Sequence, residues 1–203
     1  AVQGFGNVGM HTARIMHEAG AKVLAVSDAK GGVYNARGLD IPALRSRYQS
    51  NVRPLHECGV GEGISNEDLL RLECTILVPA ALSEQITEKN AAQVRCRILA
   101  EGANGPTTLA ADRILEEKGV FVIPDILANS GGVIVSYFEW VQDVQKYFWK
   151  EQDIRDRLHE IITAAFRRTL EFSQAKKVSL RMAALMSGID KIGQAHLARG
   201  LYP

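Results

Sequence analysis

The stretch Gly4-Phe5-Gly6-Asn7-Val8-Gly9 decides the fold. It fits GxGxxG, and its surroundings carry more weight than the pattern, which is common by chance. An apolar strand remnant, Ala1-Val2-Gln3, precedes it. A helical stretch over 7–19, closed by Gly20, follows, and a second apolar strand over 22–26 leads to Asp28, 19 residues past Gly9. Each part has a physical task. Gly4 permits a tight turn, Gly6 lets the backbone approach a pyrophosphate, and Gly9 lets helix and strand pack closely. The helix N-terminus offers free N–H groups and a positive dipole end to phosphate. Asp28 can accept hydrogen bonds from ribose hydroxyls, and its charge repels a 2′-phosphate. NAD is therefore favoured, while Lys30, two residues beyond Asp28, can offset that charge and leaves NADP or dual use open.

Outward from this loop, strand and helix alternate. Residues 31–38 read as a turn-rich excursion and 41–49 as a short helix. Strands are expected over 75–78, 97–100 and 120–123, with helices over 88–94 and 107–118. Continuous β-branched runs separated by helices predict an α/β fold: a doubly wound, Rossmann-like parallel sheet covered on both faces. After Pro124 the strand pattern stops. Helices are expected over 131–149, 153–176 and 180–199, the second with Ile154, Leu158, Ile161, Ile162, Ala165, Phe166, Thr169 and Leu170 on one stripe. The expected organisation is a dinucleotide-binding domain over 1–150 and a C-terminal helical tail over 151–203.

The 203 residues suit one large domain or two small ones. A hydrophobic content of 46% and a charged content of 23% are globular values, which excludes disordered and fibrous classes. Net charge is +1, from 24 basic and 23 acidic residues, which gives no electrostatic case for nucleic acid. No apolar run approaches the roughly 18 residues of a membrane span. Cys58, Cys74 and Cys96 lack CxxC spacing and read as buried free thiols in a reducing, cytoplasmic setting. His11 and His17 are six residues apart and share a helix face poorly, and His56, His159 and His196 have no companion ligand; no metal is expected. The chain opens without methionine, at what reads as the end of a buried strand. It is expected to be a piece of a longer protein, with a natural end at Arg199-Gly200-Leu201-Tyr202-Pro203.

A dinucleotide site on this fold lies outside the carboxyl ends of the strands. Pro79-Ala80-Ala81-Leu82 follows one strand, and small residues there let a flat ring or ribose come close. Glu101-Gly102-Ala103-Asn104-Gly105-Pro106-Thr107-Thr108 follows another. Asn104 offers a donor and an acceptor, as recognition of a carboxamide requires; a turn or helix cap before Pro106 is the other reading. Asn129 and Gly131-Gly132 open a helix, where an anion or amide is favoured.

The glycine loop, Ser27-Asp28-Ala29-Lys30-Gly31-Gly32-Val33-Tyr34-Asn35, residues 101–108 and residues 127–140 together closely resemble the cofactor domain of hexameric glutamate dehydrogenases, within the Glu/Leu/Phe/Val dehydrogenase family. The resemblance covers essentially the whole chain. One departure is Leu185 after Ala183-Ala184, where the family often has an aromatic. The resemblance implies Asn7 and Val8 against the pyrophosphate, Asp28 on the adenosine ribose, and Ala80 and Ala81 lining the cofactor groove. It implies Asn104 and Asn129 on the nicotinamide carboxamide. Val133 and Ser136 would face the glutamate side chain, with Ser136 bonding its γ-carboxylate; packing inside a helix is the other reading of this pair.

The implied activity is reversible NAD(P)-dependent oxidative deamination of L-glutamate to 2-oxoglutarate and ammonium, in a homo-hexamer. In this family the working lysines and an aspartate belong to an N-terminal domain with a PxGGxKGG-type motif. No such motif occurs here. No catalytic residue is assigned within the chain, Lys89, Lys118, Lys176 and Lys177 read as solvated, and the chain alone is expected to be inactive. Two alternatives stand beside this reading: a leucine, phenylalanine or valine dehydrogenase, and a non-catalytic NAD-sensing module. Asn104, Asn129 and the Val133/Ser136 helix argue against the sensor.

Overall fold

The computed structural model describes residues 1–48 and 53–200. Gln49, expected to close a helix, and the final Leu201-Tyr202-Pro203 lie outside the described residues. Backbone contacts divide the chain into two compact units, Ala1–Asp125 and a second that starts at Ile126.

The first unit is built on a seven-stranded sheet in the order β4-β3-β2-β1-β5-β6-β7. Its strands are β1 (Val2–Gln3), β2 (Ala25–Asp28), β3 (Gly31–Tyr34), β4 (Glu62–Ile64), β5 (Cys74–Pro79), β6 (Cys96–Ala100) and β7 (Phe121–Ile123). β1 is central: Val2 lies between Val26 of β2 and Val78 of β5, both parallel to it. β5–β6 and β6–β7 are also parallel. The chain thus winds outward from β1 in both directions, and the reversal opens a crevice at the carboxyl end of β1.

This is the expected doubly wound α/β architecture with one amendment. The excursion over 31–38 contains β3, which pairs antiparallel with β2, and β4 pairs antiparallel with β3. Gly32 faces Ser27 across this hairpin, and a Cβ there would sit 2.5 Å from the Val26 carbonyl oxygen and 2.9 Å from Ser27 Cβ. A strand that must be glycine at its tightest contact carries no alternating apolar signal, which is why it reads as a turn.

The core lies on both sheet faces. Val26 and Val78 join Phe5, Ala13 and Leu44 on one side, while Ala25 and Leu77 join Leu69, Leu99 and Leu115 on the other. Neighbouring strand residues point to opposite faces, so each buried strand feeds both clusters. Helix α1 (Asn7–Glu18) connects β1 to β2, and α2 (Ile41–Arg47) and α3 (Asn66–Leu70) lie between β3 and β5. α4 (Leu109–Glu117) connects β6 to β7 and is capped by Thr108, whose hydroxyl accepts the Ala111 N–H at 3.2 Å.

The helix expected over 88–94 is replaced by a single 3-10 turn, Ala91–Gln93. Asn90 accepts the Thr87 N–H and donates to the Gln85 carbonyl, and Lys118 Nζ donates to the Ala92 and Val94 carbonyls. Side chains therefore take groups that a helix would use for its own ladder.

The short helix α5 (Asp125–Ala128) spans the division between the units. The second unit then runs through α6 (Gly131–Gln145), α7 (Glu151–Lys176) and α8 (Leu180–Arg199). α6 and α8 both pack on α7, so α6, placed with the sheet in the expected 1–150 domain, groups with the C-terminal helices. α6 also stops before the expected residue 149. Lys146 turns left-handed at φ 52°, and the buried Gln142 side chain accepts the Trp149 N–H at 2.7 Å while donating to the Phe138 carbonyl. Among the described residues no helix is long and apolar enough to cross a membrane.

Candidate functional site

The carboxyl ends of the parallel strands of the first unit gather one group of loops. Gly4 has φ 92°, and a Cβ there would meet the Ala80 carbonyl oxygen at 2.7 Å and the Ala81 nitrogen at 2.9 Å. The glycine loop therefore lies directly on Pro79-Ala80-Ala81. A Cβ on Gly9 would come within 1.8 Å of the Gly4 carbonyl oxygen, so helix α1 can approach β1 only with glycine there. Gly6 differs: a Cβ would meet nothing within 4 Å. Its missing side chain serves no contact inside the protein and leaves an open face.

That face is the N-terminus of α1. Gly6 is the helix cap, no side chain caps the helix, and no acidic residue stands in its first turn. The first intrahelical bond runs from the Met10 N–H to the Gly6 carbonyl. The N–H groups of Asn7, Val8 and Gly9 thus have no partner in the helix ladder and suit an anion. Asn7 and Val8 are exposed. Phe5 contributes backbone only, since its ring is buried at 3% exposure and packs into the core.

Val8, Ala80 and the unassigned Gly102 form one wall. A Cβ on Gly102 would meet Ala80 Cβ at 3.1 Å and Val8 Cγ1 at 3.4 Å. The Gly102 and Ala103 N–H groups donate to the Pro79 carbonyl. Asn104 is exposed in the bend that follows. The bend is held from both sides: the Gly105 N–H donates to Asp125 at 2.8 Å, and the Gly105 carbonyl accepts the Glu84 N–H. Glu101 is fully buried and accepts the Asp125 N–H at 2.8 Å. Its carboxylate ties the end of β6 to the turn after β7, a role that no local sequence signal gives away.

Asp28 ends β2, half-buried, and accepts the Lys30 N–H at 2.8 Å. Behind it, Asn66 donates to the Asp28 carbonyl and accepts the Ser27 hydroxyl. Burial, and then the charge and hydrogen bonding of Asp28, push the Tyr48 phenol up to about 12. The Tyr48 ring stands edge-on against Phe5, with centroids 5.2 Å apart. Sequence spacing does not reveal Tyr48, because 20 residues and a strand separate it from Asp28.

In the second unit, Asn129 lies half-buried in the turn before α6, where Ser130 is the cap residue. Val133 and Ser136 are one turn apart on α6. Ser136 is exposed and Val133 is 70% exposed, so neither packs into the interior of this chain. Cys58, Cys74 and Cys96 are free thiols, all pushed up chiefly by burial, Cys96 to about 11. Among the described residues no group of three or more His, Cys, Asp or Glu side chains is placed to hold a metal ion.

This arrangement can be set beside known proteins. The family profile described as Glutamate/Leucine/Phenylalanine/Valine dehydrogenase matches residues 1–200. The catabolic NAD-specific glutamate dehydrogenase of Bacillus subtilis is 48% identical over 201 residues, which are 98% of this chain and 46% of that protein. An NAD-specific glutamate dehydrogenase of Staphylococcus aureus is 47% identical over the same length, 48% of that protein. The chain spans about half the length of the curated relatives it matches. Among solved structures, the hetero-hexameric glutamate dehydrogenase of Thermus thermophilus in its leucine-bound form matches with a TM-score of 0.91 at 31% identity, over 100% of this chain and 48% of that one. Glutamate dehydrogenase from Peptoniphilus asaccharolyticus matches with a TM-score of 0.82 at 34% identity, over 99% and 47%. With the seven-stranded sheet, the bare helix end and the acidic residue closing β2 all in place, the chain belongs to the Glutamate/Leucine/Phenylalanine/Valine dehydrogenase family.

Proposed function

We propose that this chain is the coenzyme half of an NAD-dependent glutamate dehydrogenase. The observation that carries the reading is the open face at Gly6 over the uncapped start of α1. Asp28 closes β2 beside it in the fold, and the curated relatives are named NAD-specific glutamate dehydrogenases. The reaction is L-glutamate, water and NAD+ giving 2-oxoglutarate, ammonium and NADH. NAD, when bound, supplies the hydride acceptor.

The residues of the chain bind and orient. The N–H groups of Asn7, Val8 and Gly9 take the pyrophosphate, and Gly6 lets it come close. Asp28 accepts hydrogen bonds from the adenosine ribose and repels a 2′-phosphate, which favours NAD. Ala80 and Ala81 line the groove, and Asn104 and Asn129 bond the carboxamide. Val133 and Ser136 contact the glutamate side chain, with the Ser136 hydroxyl donating to the γ-carboxylate. The cations for the substrate carboxylates and the base for the amine and water protons come from the remainder of the enzyme. Assembly is as a homo-hexamer, in the reducing setting of the cytoplasm that three free thiols suit.

The experiment is NADH formation by the full-length gene product with glutamate, leucine, phenylalanine and valine, each with NAD and NADP. Glutamate with NAD should give the highest kcat/KM. Leucine turnover above glutamate turnover would overturn the substrate, and an NADP preference would overturn the role of Asp28.

A further inference from the structure

We infer that Asp125 is a positioning residue for the coenzyme: it clamps both ends of the bend that carries Asn104, so that the Asn104 amide stands ready for the nicotinamide carboxamide. This rests on the assignment of Asn104 to the carboxamide made above. Two hydrogen bonds at one residue support it. The Asp125 N–H donates to Glu101 Oε2 at 2.8 Å, at the start of the bend. The Gly105 N–H donates to Asp125 Oδ2 at 2.8 Å, at its end. Glu101 is fully buried, so the first bond ties Asp125 to a fixed point. The Glu101 N–H also donates to the Ile123 carbonyl, which sets the end of β6 against the end of β7.

The backbone is pinned on either side of Asn104. The Gly102 and Ala103 N–H groups both donate to the Pro79 carbonyl, and the Gly105 carbonyl accepts the Glu84 N–H. Gly105 has φ 54°, a left-handed conformation that glycine enters and leaves readily. The bond to Asp125 holds it there. A carboxylate acceptor makes that bond charge-assisted, about twice as strong as one between neutral groups. Asn104 itself is exposed. An amide matches a carboxamide only when its donor and acceptor are both aligned, and a bend that is already ordered spares binding the entropy of ordering it. Asp125 lies 20 residues from Gly105 in sequence, so no local pattern marks it.

The test uses the full-length gene product and two ligands, NAD and ADP-ribose. ADP-ribose shares the adenosine, pyrophosphate and second ribose of NAD and lacks the nicotinamide. Calorimetric titration reads both Kd values. Asp125→Ala should weaken NAD about three- to tenfold, the net effect of one hydrogen bond, and change ADP-ribose by less than about twofold. Asp125→Asn keeps the shape and an acceptor oxygen without the charge. Half the bond energy is the square root of that factor, so it should weaken NAD about two- to threefold and leave ADP-ribose unchanged. It carries the test if the alanine variant does not fold. Asn104→Ala should bind NAD weakly and ADP-ribose normally, and adding Asp125→Ala to it should bring no further loss, because Asp125 acts through Asn104. Equal losses for the two ligands in the Asp125 variants, or unchanged NAD affinity in them, would overturn the inference while the role of Asn104 stands. Unchanged NAD affinity in Asn104→Ala would overturn the carboxamide assignment, and the role of Asp125 with it.

Discussion

Alanine at Gly6 and alanine at Gly9 should separate binding from folding. At Gly9 the added Cβ would lie 1.8 Å from the Gly4 carbonyl oxygen and 2.8 Å from its carbon. Both are backbone atoms, so no rotamer can relieve the clash. The helix must retreat from β1 by about 1.2 Å, the difference between 1.8 Å and the 3.0 Å floor of real Cβ contacts. Overpacking of this kind costs about 1–3 kcal/mol or more, which for a chain of this size lowers Tm by roughly 2–12 °C. At Gly6 the Cβ would meet nothing within 4 Å, and φ is −77°, a value any residue adopts. Alanine is a poorer cap than glycine but restricts the unfolded chain, so the net change stays within about 1 kcal/mol. Yet that methyl occupies the face where a pyrophosphate would come closest. An intrusion worth about 1–3 kcal/mol weakens NAD by roughly 5- to 150-fold. Calorimetric titration with NAD and thermal melts of both variants decide the matter. Gly6→Ala should lose affinity without losing stability, and Gly9→Ala should lose both. Wild-type affinity in Gly6→Ala would refute the assignment of this loop to phosphate.

Further expectations follow from individual contacts. Asp28→Ser removes a charge-assisted acceptor, so NAD binding should fall by about 1.5–3 kcal/mol and discrimination against NADP should relax in coenzyme titrations. Ser136→Ala should raise the KM for glutamate in the full enzyme with a smaller change in kcat; steady-state kinetics with unchanged KM would return Ser136 to a surface role. Glu101→Ala removes the buried carboxylate that accepts the Asp125 N–H, and urea melts should show a loss of about 1–3 kcal/mol. Cys96 is 6% exposed, with its thiol pushed from the ordinary 9.0 to about 11 by burial first and then by Cys74. Its folded form holds the proton that the unfolded chain releases, so stability is full below pH 9 and declines from there toward 11. Urea melts of Cys96→Ala over that interval should decline less steeply than wild type, and equal slopes would remove Cys96 from the explanation.

Much of the candidate site is legible in the sequence because its parts are local. Gly4, Gly6 and Gly9 fall within six residues, Ala80-Ala81 directly follow β5, and Asn104 comes four residues after the end of β6. What escapes is either unpatterned or distant. β3 and β4 are short and rich in Gly, so neither propensity nor alternation marks them. The segment 88–94 has helix-compatible composition, but Asn90 and Lys118 satisfy its backbone by other means. The stop of α6 depends on Gln142 reaching seven residues ahead to Trp149. Tyr48 and Gly102 matter only through what the fold sets beside them, Asp28 and Phe5 for one, Ala80 and Val8 for the other.

The pairing of β1 also governs the order in which this site can come into being. Its residues precede the other six strands in sequence, yet the strand has no second neighbour until Val78 and Pro79 lie beside Val2 and Gln3. Contacts of such sequence separation form late, after shorter loops have repaid their closure entropy. During synthesis the glycine loop therefore stays an unfinished edge while β2, β3, α2, β4 and α3 are laid down. Only when Ala80 and Ala81 reach Gly4 is the loop clamped from both sides. On the proposed assignment, dinucleotide binding becomes a late event in biosynthesis, and a ribosome-bound chain cut short before β5 would have the glycine motif complete and no clamp on it.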